Sequence, residues 1–152
     1  MNQNKEFNQA KNYAYRLLAY RQRSKKEIND RLRQKGYQQE VIDSVLEFLK
    51  EYQLIDDYQF ACSWVEHRMA IRPMGVKGIK YELKKHGIDN EITESVLSKI
   101  DSEDELALAK QLIQKKINNH SGFNKRKAAA LLQRRGFSYD IISRILFQLD
   151  MS

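Results

Sequence analysis

Apolar side chains recur along this chain at helical spacings, and one arrangement of them occurs three times. Around Gly36, apolar residues stand eight and four positions before the glycine and one, five, nine, ten and thirteen positions after it. The same offsets are apolar around Gly87 and Gly136, and we call these three residues the anchor glycines. Steps of four and one are typical of a helix face rather than of a strand. The pattern therefore predicts three copies of a helix pair that turns at a glycine.

The glycine at each turn has a physical reason. A helix that stops and reverses direction needs a residue in the left-handed region just after its last turn, and glycine adopts that region without a Cβ clash. We therefore predict that Gly36, Gly87 and Gly136 are structural caps at helix C-termini.

Helix starts are marked by side chains that accept hydrogen bonds from free backbone N–H groups. Ser24, with Glu27 three residues later, predicts a capping box. Asp56 and Asp57 precede another helical run. A carboxylate pair can serve acid–base chemistry, but we favour capping, with Asp56 as the structural cap.

A further helix precedes each pair, which predicts nine helices and no strand. The expected extra helices lie near residues 9–20, 57–71 and 103–117. Three short helices bury little surface alone, so the predicted fold is all-α, with three tandem three-helix repeats stacked in an elongated, curved array. The predicted division is a flexible N-terminal tail at residues 1–8 and repeats at residues 9–54, 55–101 and 102–152.

The composition indicates a protein with an acidic partner. The chain has 27 Lys/Arg against 20 Asp/Glu, a formal charge of +7, and a pI near 9.4. This excess favours nucleic acid or an acidic protein surface, and charge alone does not distinguish them. No apolar run reaches the ~18 residues that a membrane span needs, so we expect no membrane association and a cytoplasmic location. Cys62, the single cysteine, is interpreted as a small buried hydrophobe.

The charge alternates in phase with the repeat. Residues 1–36 hold ten Lys/Arg and three Asp/Glu, residues 37–59 hold one and six, and residues 110–136 hold eight and none. Each helix ending at an anchor glycine is basic, and several of its cations stand near its start, where the helix dipole disfavours them. A surface for a polyanion or an acidic groove explains this better than a solvated face. The predicted surface comprises Arg21, Arg23, Lys25, Lys26, Arg33, Arg72, Lys77, Lys80, Lys84, Lys125, Arg126, Lys127 and Arg134.

Motifs for catalysis or cofactor binding are weak. The run "GVKG" at residues 75–78 lacks the rest of a phosphate-binding loop and follows no predicted strand. His67, His86 and His120 have no histidine or cysteine at metal-ligand spacing. Trp64 stands in an apolar helical stretch, and we favour packing over base stacking for it. We expect a protein that is not an enzyme and needs no metal or cofactor.

Three runs of sequence occur in register with the repeat: "YAYRLLAYRQRSKKEINDRLRQKGY", "LIDDYQFACSWVEHR" and "LLQRRGFSYDIISRIL". In this order and spacing they resemble the RecX regulatory proteins of bacteria, over residues 10–149. Two departures touch the predicted binding surface. Gln22 stands where that family usually has proline, and "IRPMGVKG" replaces a turn rich in glycine and arginine.

The resemblance implies an all-helical protein of three tandem three-helix repeats that inhibits the RecA recombinase. Proteins of this family bind in the helical groove of the RecA filament on single-stranded DNA and suppress its ATPase, strand-exchange and co-protease activities. By that resemblance we expect a monomer whose partner is the RecA filament. Binding to single-stranded DNA alone should be weak and salt-sensitive.

Two other functions fit parts of the pattern. A free DNA-binding protein would use the helix–turn–helix-like units, but "QQEVIDSVLEFLKE" and "DNEITESVLSKI" are acidic where a recognition helix should be basic or amide-rich. Only the third repeat, "SYDIISRILFQL", is close to neutral. An enzyme would need a pocket with paired titratable groups, which the sequence does not indicate.

Overall fold

The computed structural model describes residues 2–151, with the side chains of residues 4–150, and no strand occurs in that range. This confirms the all-α prediction. The helices are α1 (Asn2–Tyr20), α2 (Lys25–Gln34), α3 (Gln39–Glu51), α4 (Asp57–Ala70), α5 (Val76–Lys85), α6 (Asn90–Leu97), α7 (Ser102–Asn119), α8 (Lys125–Arg134) and α9 (Tyr139–Met151).

Each group of three consecutive helices has its own hydrophobic core, which confirms the three tandem three-helix repeats. We call them unit 1 (α1–α3), unit 2 (α4–α6) and unit 3 (α7–α9). The apolar residues eight and four positions before each anchor glycine are fully buried in all three units. A buried Ile or Leu stabilises the fold by about 1.5–3 kcal/mol, so these positions drive the pairing of helices. Ile55, assigned from the sequence to the second repeat, is buried in the core of unit 1.

The first helix begins earlier than the sequence pattern predicts. Helix α1 starts at Asn2 rather than near residue 9. Phe7 packs edge-to-face on Phe48 with ring centroids 6.1 Å apart, and the Lys11 ammonium lies 5.0 Å from the Phe48 ring. Residues 2–8, which the sequence assigned to a flexible tail, therefore belong to α1, and Phe7 joins this part of the helix to α3. Met1 lies outside the described residues.

The anchor glycines cap their helices as predicted. Their φ angles are +95° at Gly36, +80° at Gly87 and +76° at Gly136. After each glycine, the next residue donates its N–H to the carbonyl five residues earlier, as Tyr37 does to Leu32 at 3.2 Å. This is the Schellman arrangement, which satisfies carbonyls at the end of the helix and turns the chain into the following helix.

The predicted N-caps are present, but the capping box at Ser24 is incomplete. Ser24 accepts from the backbone N–H of Glu27 at 3.2 Å, and Asp56 accepts from Gln59 at 3.2 Å. The Glu27 carboxylate does not return to the backbone of Ser24. It instead accepts from Arg21 at 2.6 Å and lies 2.8 Å from Nδ1 of His86, which belongs to unit 2.

The units stack through the ends of α2, α5 and α8. At the joint between units 1 and 2, Ser24 Oγ donates to the His86 carbonyl at 2.7 Å. At the joint between units 2 and 3, the corresponding N-cap, Gly75, donates its backbone N–H to the Arg135 carbonyl at 2.8 Å. Each joint thus places the start of one helix against the end of the next, where the positive and negative ends of their dipoles attract.

Glycines allow the close approach at the second joint. A Cβ on Gly75 would lie 2.4 Å from the Gly136 carbonyl oxygen, and a Cβ on Gly136 would lie 2.3 Å from the backbone of Gly78. The "GVKG" run is therefore a packing motif. Gly87 lies under the Lys26 side chain at the first joint, whereas Gly36 faces open space at the end of the column.

Glu105 of α7 adds a hydrogen bond to α5 at the joint between units 2 and 3. This buried carboxylate in the first turn of α7 accepts from the backbone N–H of Val76 at 3.3 Å and also from that of Ser138. Burial raises the pKa of Glu105, and these two hydrogen bonds oppose the rise. Desolvation outweighs the hydrogen bonds, so the ionised form of Glu105 costs stability in the folded protein.

We expect Glu105→Ala to lower the free energy of unfolding by about 1–3 kcal/mol, because the half-buried N–H groups of Val76 and Ser138 lose their acceptor. Glu105→Gln retains an acceptor and should be close to neutral at pH 7. Since the folded-state pKa of Glu105 lies above its unfolded value, the parent should gain stability relative to Glu105→Gln as pH falls from 7 through the folded-state pKa. Urea unfolding of the three proteins across this range checks the sign, and a trend in the opposite direction would contradict the account.

The molecule is elongated, as predicted. Its accessible surface is 10171 Å², whereas a compact monomer of 18.0 kDa should expose about 8,000 Å². Adjacent units touch mainly at helix ends, so each retains most of its own surface.

Candidate interaction surface

The predicted basic residues fall into separate places, and one of them is not on the surface. The Arg23 side chain is 8% exposed, and its guanidinium lies 3.6 Å from the Glu27 carboxylate. Burial, and next the neighbouring Arg21, lower the pKa of Arg23. Arg23 belongs to the joint between units 1 and 2, so the prediction that it lies on an exposed binding face is wrong. Helical periodicity does not reveal this burial, because Arg23 precedes α2 and lies outside the helix.

Other members of the predicted surface also contribute to this joint. The backbone N–H of Lys25 donates to Asp57 Oδ1 at 2.9 Å, and the stem of Lys26 covers Gly87. Trp64 packs against the ring of His86 with centroids 4.4 Å apart, as favoured from the sequence. Around the start of α2, the cations therefore help to hold two units together.

A basic stripe runs along the exposed side of α5. Its members are Lys77, Lys80, Tyr81 and Lys84, which stand at positions i, i+3, i+4 and i+7 of the helix and so share one face. Tyr81 is 63% exposed. Lys80 is paired with Glu94 at 2.8 Å. We call this set the α5 stripe.

Three other predicted cations lie at the two ends of the array. Arg33 is exposed near the end of α2. Lys125, the first residue of α8, forms an ion pair with Asp150 of α9. Arg126, the next residue of α8, is exposed. These residues are separated from the α5 stripe along the column of stacked helices.

A basic cleft crosses from the α4–α5 connection to α8. It consists of two cavities of about 370 Å³ and 250 Å³, which share Lys116 and His120 as lining residues. Three predicted residues line it, namely Arg72, Lys127 and Arg134. Four further lining residues were not predicted from the sequence, namely Lys115, Lys116, His120 and Arg135. The absence of Asp and Glu from residues 106–139 was a usable signal for them. We call the residues lining these two cavities the basic cleft.

The positive charge in the basic cleft is only partly compensated. Arg135 donates to the Pro73 carbonyl at 3.0 Å. Burial lowers the pKa of Arg135, and the nearby guanidinium groups of Arg72, Arg134 and Arg68 lower it further. Arg68 has a carboxylate partner, Glu82, at 2.9 Å. No Asp or Glu lines either cavity.

Other kinds of site have no support in residues 2–151. Among these residues, no group of three or more His, Cys, Asp or Glu is placed to hold a metal ion. Of the helices described, none combines the length and apolar character required to traverse a bilayer. His86 lies in the first joint, and His120 lies in the basic cleft.

The fold and surface define an all-helical tandem-repeat protein with basic surfaces. Three domain models match the chain in order: the first three-helix domain of RecX at residues 10–49, the second at residues 56–97 and the third at residues 103–146. The chain belongs to the RecX family. This confirms the resemblance seen in the sequence and supports a regulatory role.

Similar proteins cover nearly the whole chain. The regulatory protein RecX of Clostridium perfringens (strain SM101 / Type A) is 35% identical over 150 residues, which is 95% of this chain and 70% of that protein. The regulatory protein RecX of Mycobacterium sp. (strain JLS) is 36% identical over 138 residues, covering 86% and 75% of the two chains. The crystal structure of RecX from Lactobacillus salivarius matches with a TM-score of 0.83 at 31% identity, covering 97% of this chain and 99% of that one.

Proposed function

We propose that this protein binds the RecA filament on single-stranded DNA, lies in its helical groove, and inhibits RecA ATPase, strand exchange and co-protease activity. It acts in the cytoplasm as a monomer, through binding alone. The proposal follows from membership of the RecX family and from the regulatory role that this membership supports.

The observation that carries the proposal is an extended array with cations on two separate surfaces. The α5 stripe lies on unit 2, and the basic cleft lies between units 2 and 3. Both surfaces can therefore engage a long partner at once. Linked weak contacts raise overall affinity because the second contact forms within one complex. A helical filament repeats its surface along its length and suits such a ligand.

The free DNA-binding alternative fits this geometry less well. In a helix–turn–helix protein the second helix enters the major groove and presents donors to base edges. Here the exposed positions of α3 include Glu40, Asp43 and Glu47, and those of α6 include Glu91 and Glu94. Carboxylates at these positions would be repelled by duplex phosphates.

The test is a titration of RecA ATP hydrolysis on single-stranded DNA with increasing amounts of the purified protein. We expect saturable inhibition at moderate salt, with the effect retained when single-stranded DNA is in large excess over this protein. Retained inhibition separates filament binding from simple sequestration of DNA. Unchanged ATP hydrolysis, or inhibition that disappears in excess DNA, would contradict the proposed function.

A further inference from the structure

The basic cleft has the composition of a site for a linear polyanion. Six Lys/Arg side chains and one histidine line its two cavities, and no carboxylate does. Arg135 is held at the junction of units 2 and 3 by its bond to Pro73, with three other guanidinium groups nearby. Arg68 is paired with Glu82, but no carboxylate lines the cavities. The lining cations therefore repel one another, and a bound anion removes that repulsion.

Helix stability explains only part of this charge. Lys116 and Arg134 stand in the last turns of α7 and α8, where the dipole favours cations. Lys127 stands in the first turn of α8, where the dipole disfavours a cation. Arg72 lies outside any helix. The convergence of these residues on a shared concave surface therefore has no explanation in helix capping.

The shape and the uncharged lining favour a single nucleic-acid strand. The two cavities share Lys116 and His120, so together they reach from α8 to the α4–α5 connection. Phe123 and Leu131 line one end of the cleft, and Ile71, which is 71% exposed, lines the other with Pro73. Proteins that bind single strands combine a cationic groove with aromatic or apolar surface for sugars and bases.

We propose that the basic cleft binds the phosphodiester backbone of single-stranded nucleic acid. This inference rests on the proposed function, because it assigns one surface to the DNA of the filament. The α5 stripe then remains available for the protein part of the filament. The test below uses no RecA, so its failure is distinguishable from failure of the proposed function.

The experiment measures binding of the full chain to fluorescein-labelled oligo-dT by anisotropy over a series of salt concentrations. The test variant carries Lys115→Gln, Lys127→Gln and Arg134→Gln, all at exposed positions. We expect clearly weaker binding and a salt slope smaller in magnitude by about 2, since each phosphate contact contributes about 0.7 on a single strand.

A matched control distinguishes the loss of cations from the cleft from a general loss of positive charge. The variant Lys5→Gln, Lys50→Gln and Lys99→Gln removes the same number of cations from exposed positions outside the cleft. Its salt slope should match that of the parent. Equal losses in both triple variants, or no loss in the cleft variant, would overturn the proposal.

Two further arms distinguish other ligands of the same charge. In the first arm, unlabelled inorganic triphosphate and unlabelled oligo-dT compete with the labelled oligo-dT at equal phosphate concentration. If triphosphate competes as well as oligo-dT, the site binds free phosphates rather than a strand. A glutamate decamer that binds the parent more tightly than oligo-dT, and loses binding in the cleft variant, would assign the cleft to an acidic protein segment. Either result overturns the proposal.

A footprint on the parent tests the site without any substitution. Acetylation of lysines in the presence of saturating oligo-dT, read by mass spectrometry, should show protection at Lys115, Lys116 and Lys127. Lys5 and Lys50 should react at the same rate with and without the oligonucleotide. Protection confined to residues outside the cleft would place the strand elsewhere.

Discussion

Replacing Gly136 with alanine should separate unit 3 from unit 2. The new Cβ would lie 2.3 Å from the backbone of Gly78, and the residue would keep a φ of +76°. The left-handed conformation alone costs about 1–2 kcal/mol for a residue with a Cβ. Backbone atoms cannot rotate away as side chains do, so the steric overlap adds to this cost and breaks the hydrogen bonds of the joint.

Two other glycines isolate the separate contributions to this effect. Gly75→Ala keeps an ordinary backbone conformation, with φ at −75°, but places a Cβ 2.4 Å from the Gly136 carbonyl oxygen. Gly36→Ala keeps the left-handed conformation, and its Cβ meets no atom within 4 Å. We therefore expect joint opening from Gly75→Ala and only the backbone cost of about 1–2 kcal/mol from Gly36→Ala.

The measurements are hydrogen exchange and small-angle scattering on the three variants. Gly136→Ala and Gly75→Ala should lose protection at the amides of residues 75 and 78 and show a larger radius of gyration. Amides within the core of unit 1 should stay protected, because that core is separate. Gly36→Ala should show neither change. If Gly75→Ala retains its protected amides and its dimensions, the glycines are not required for the joint.

Charge reversal on the α5 stripe should abolish most inhibition of RecA without unfolding the protein. Lys77 and Lys84 are exposed on one face of α5, and exposed side chains contribute little to stability. Lys77→Glu with Lys84→Glu turns two attractions into two repulsions against an acidic surface, where like charges cost several kcal/mol. The concentration for half-inhibition should rise by at least about tenfold, which corresponds to 1.4 kcal/mol.

The controls for this prediction follow from the structure. Lys5→Glu with Lys50→Glu changes the net charge equally at exposed positions of unit 1. Glu40→Lys with Glu47→Lys reverses charge on α3 without touching the Lys80–Glu94 pair. Both control proteins should inhibit about as well as the parent. Normal inhibition by the stripe variant, with an unchanged dichroism melt, would show that the stripe is solvated surface.

Arg23 and Lys25 are unsuitable for the same experiment. Arg23 is buried beside Glu27, and the Lys25 backbone anchors unit 1 to Asp57. A carboxylate at position 23 would face Glu27 and destabilise the joint. Loss of function in such a variant would report on folding as well as on binding.

The local pattern of apolar residues and glycines was sufficient to predict the helices and the turns between paired helices. The positions that repeat around Gly36, Gly87 and Gly136 set which faces are buried, and each glycine has the positive φ that its place after a helix requires. These features depend on residues within a few turns of one another. The start of α1 was missed because its stability comes from Phe48, far away in the sequence.

Tertiary structure decided which cations are available to a partner. Arg23 and Lys77 are both cations near the start of a basic helix, yet Arg23 is buried beside a joint and Lys77 is exposed. The basic cleft likewise joins Arg72 from the α4–α5 connection with Lys127 and Arg134 from α8. The sequence alone determined the repeated units, their caps and the excess of positive charge, because these are set by local spacing and composition. Stacking of helix ends decided the joints and the cleft, because burial and proximity between distant residues depend on how the units meet.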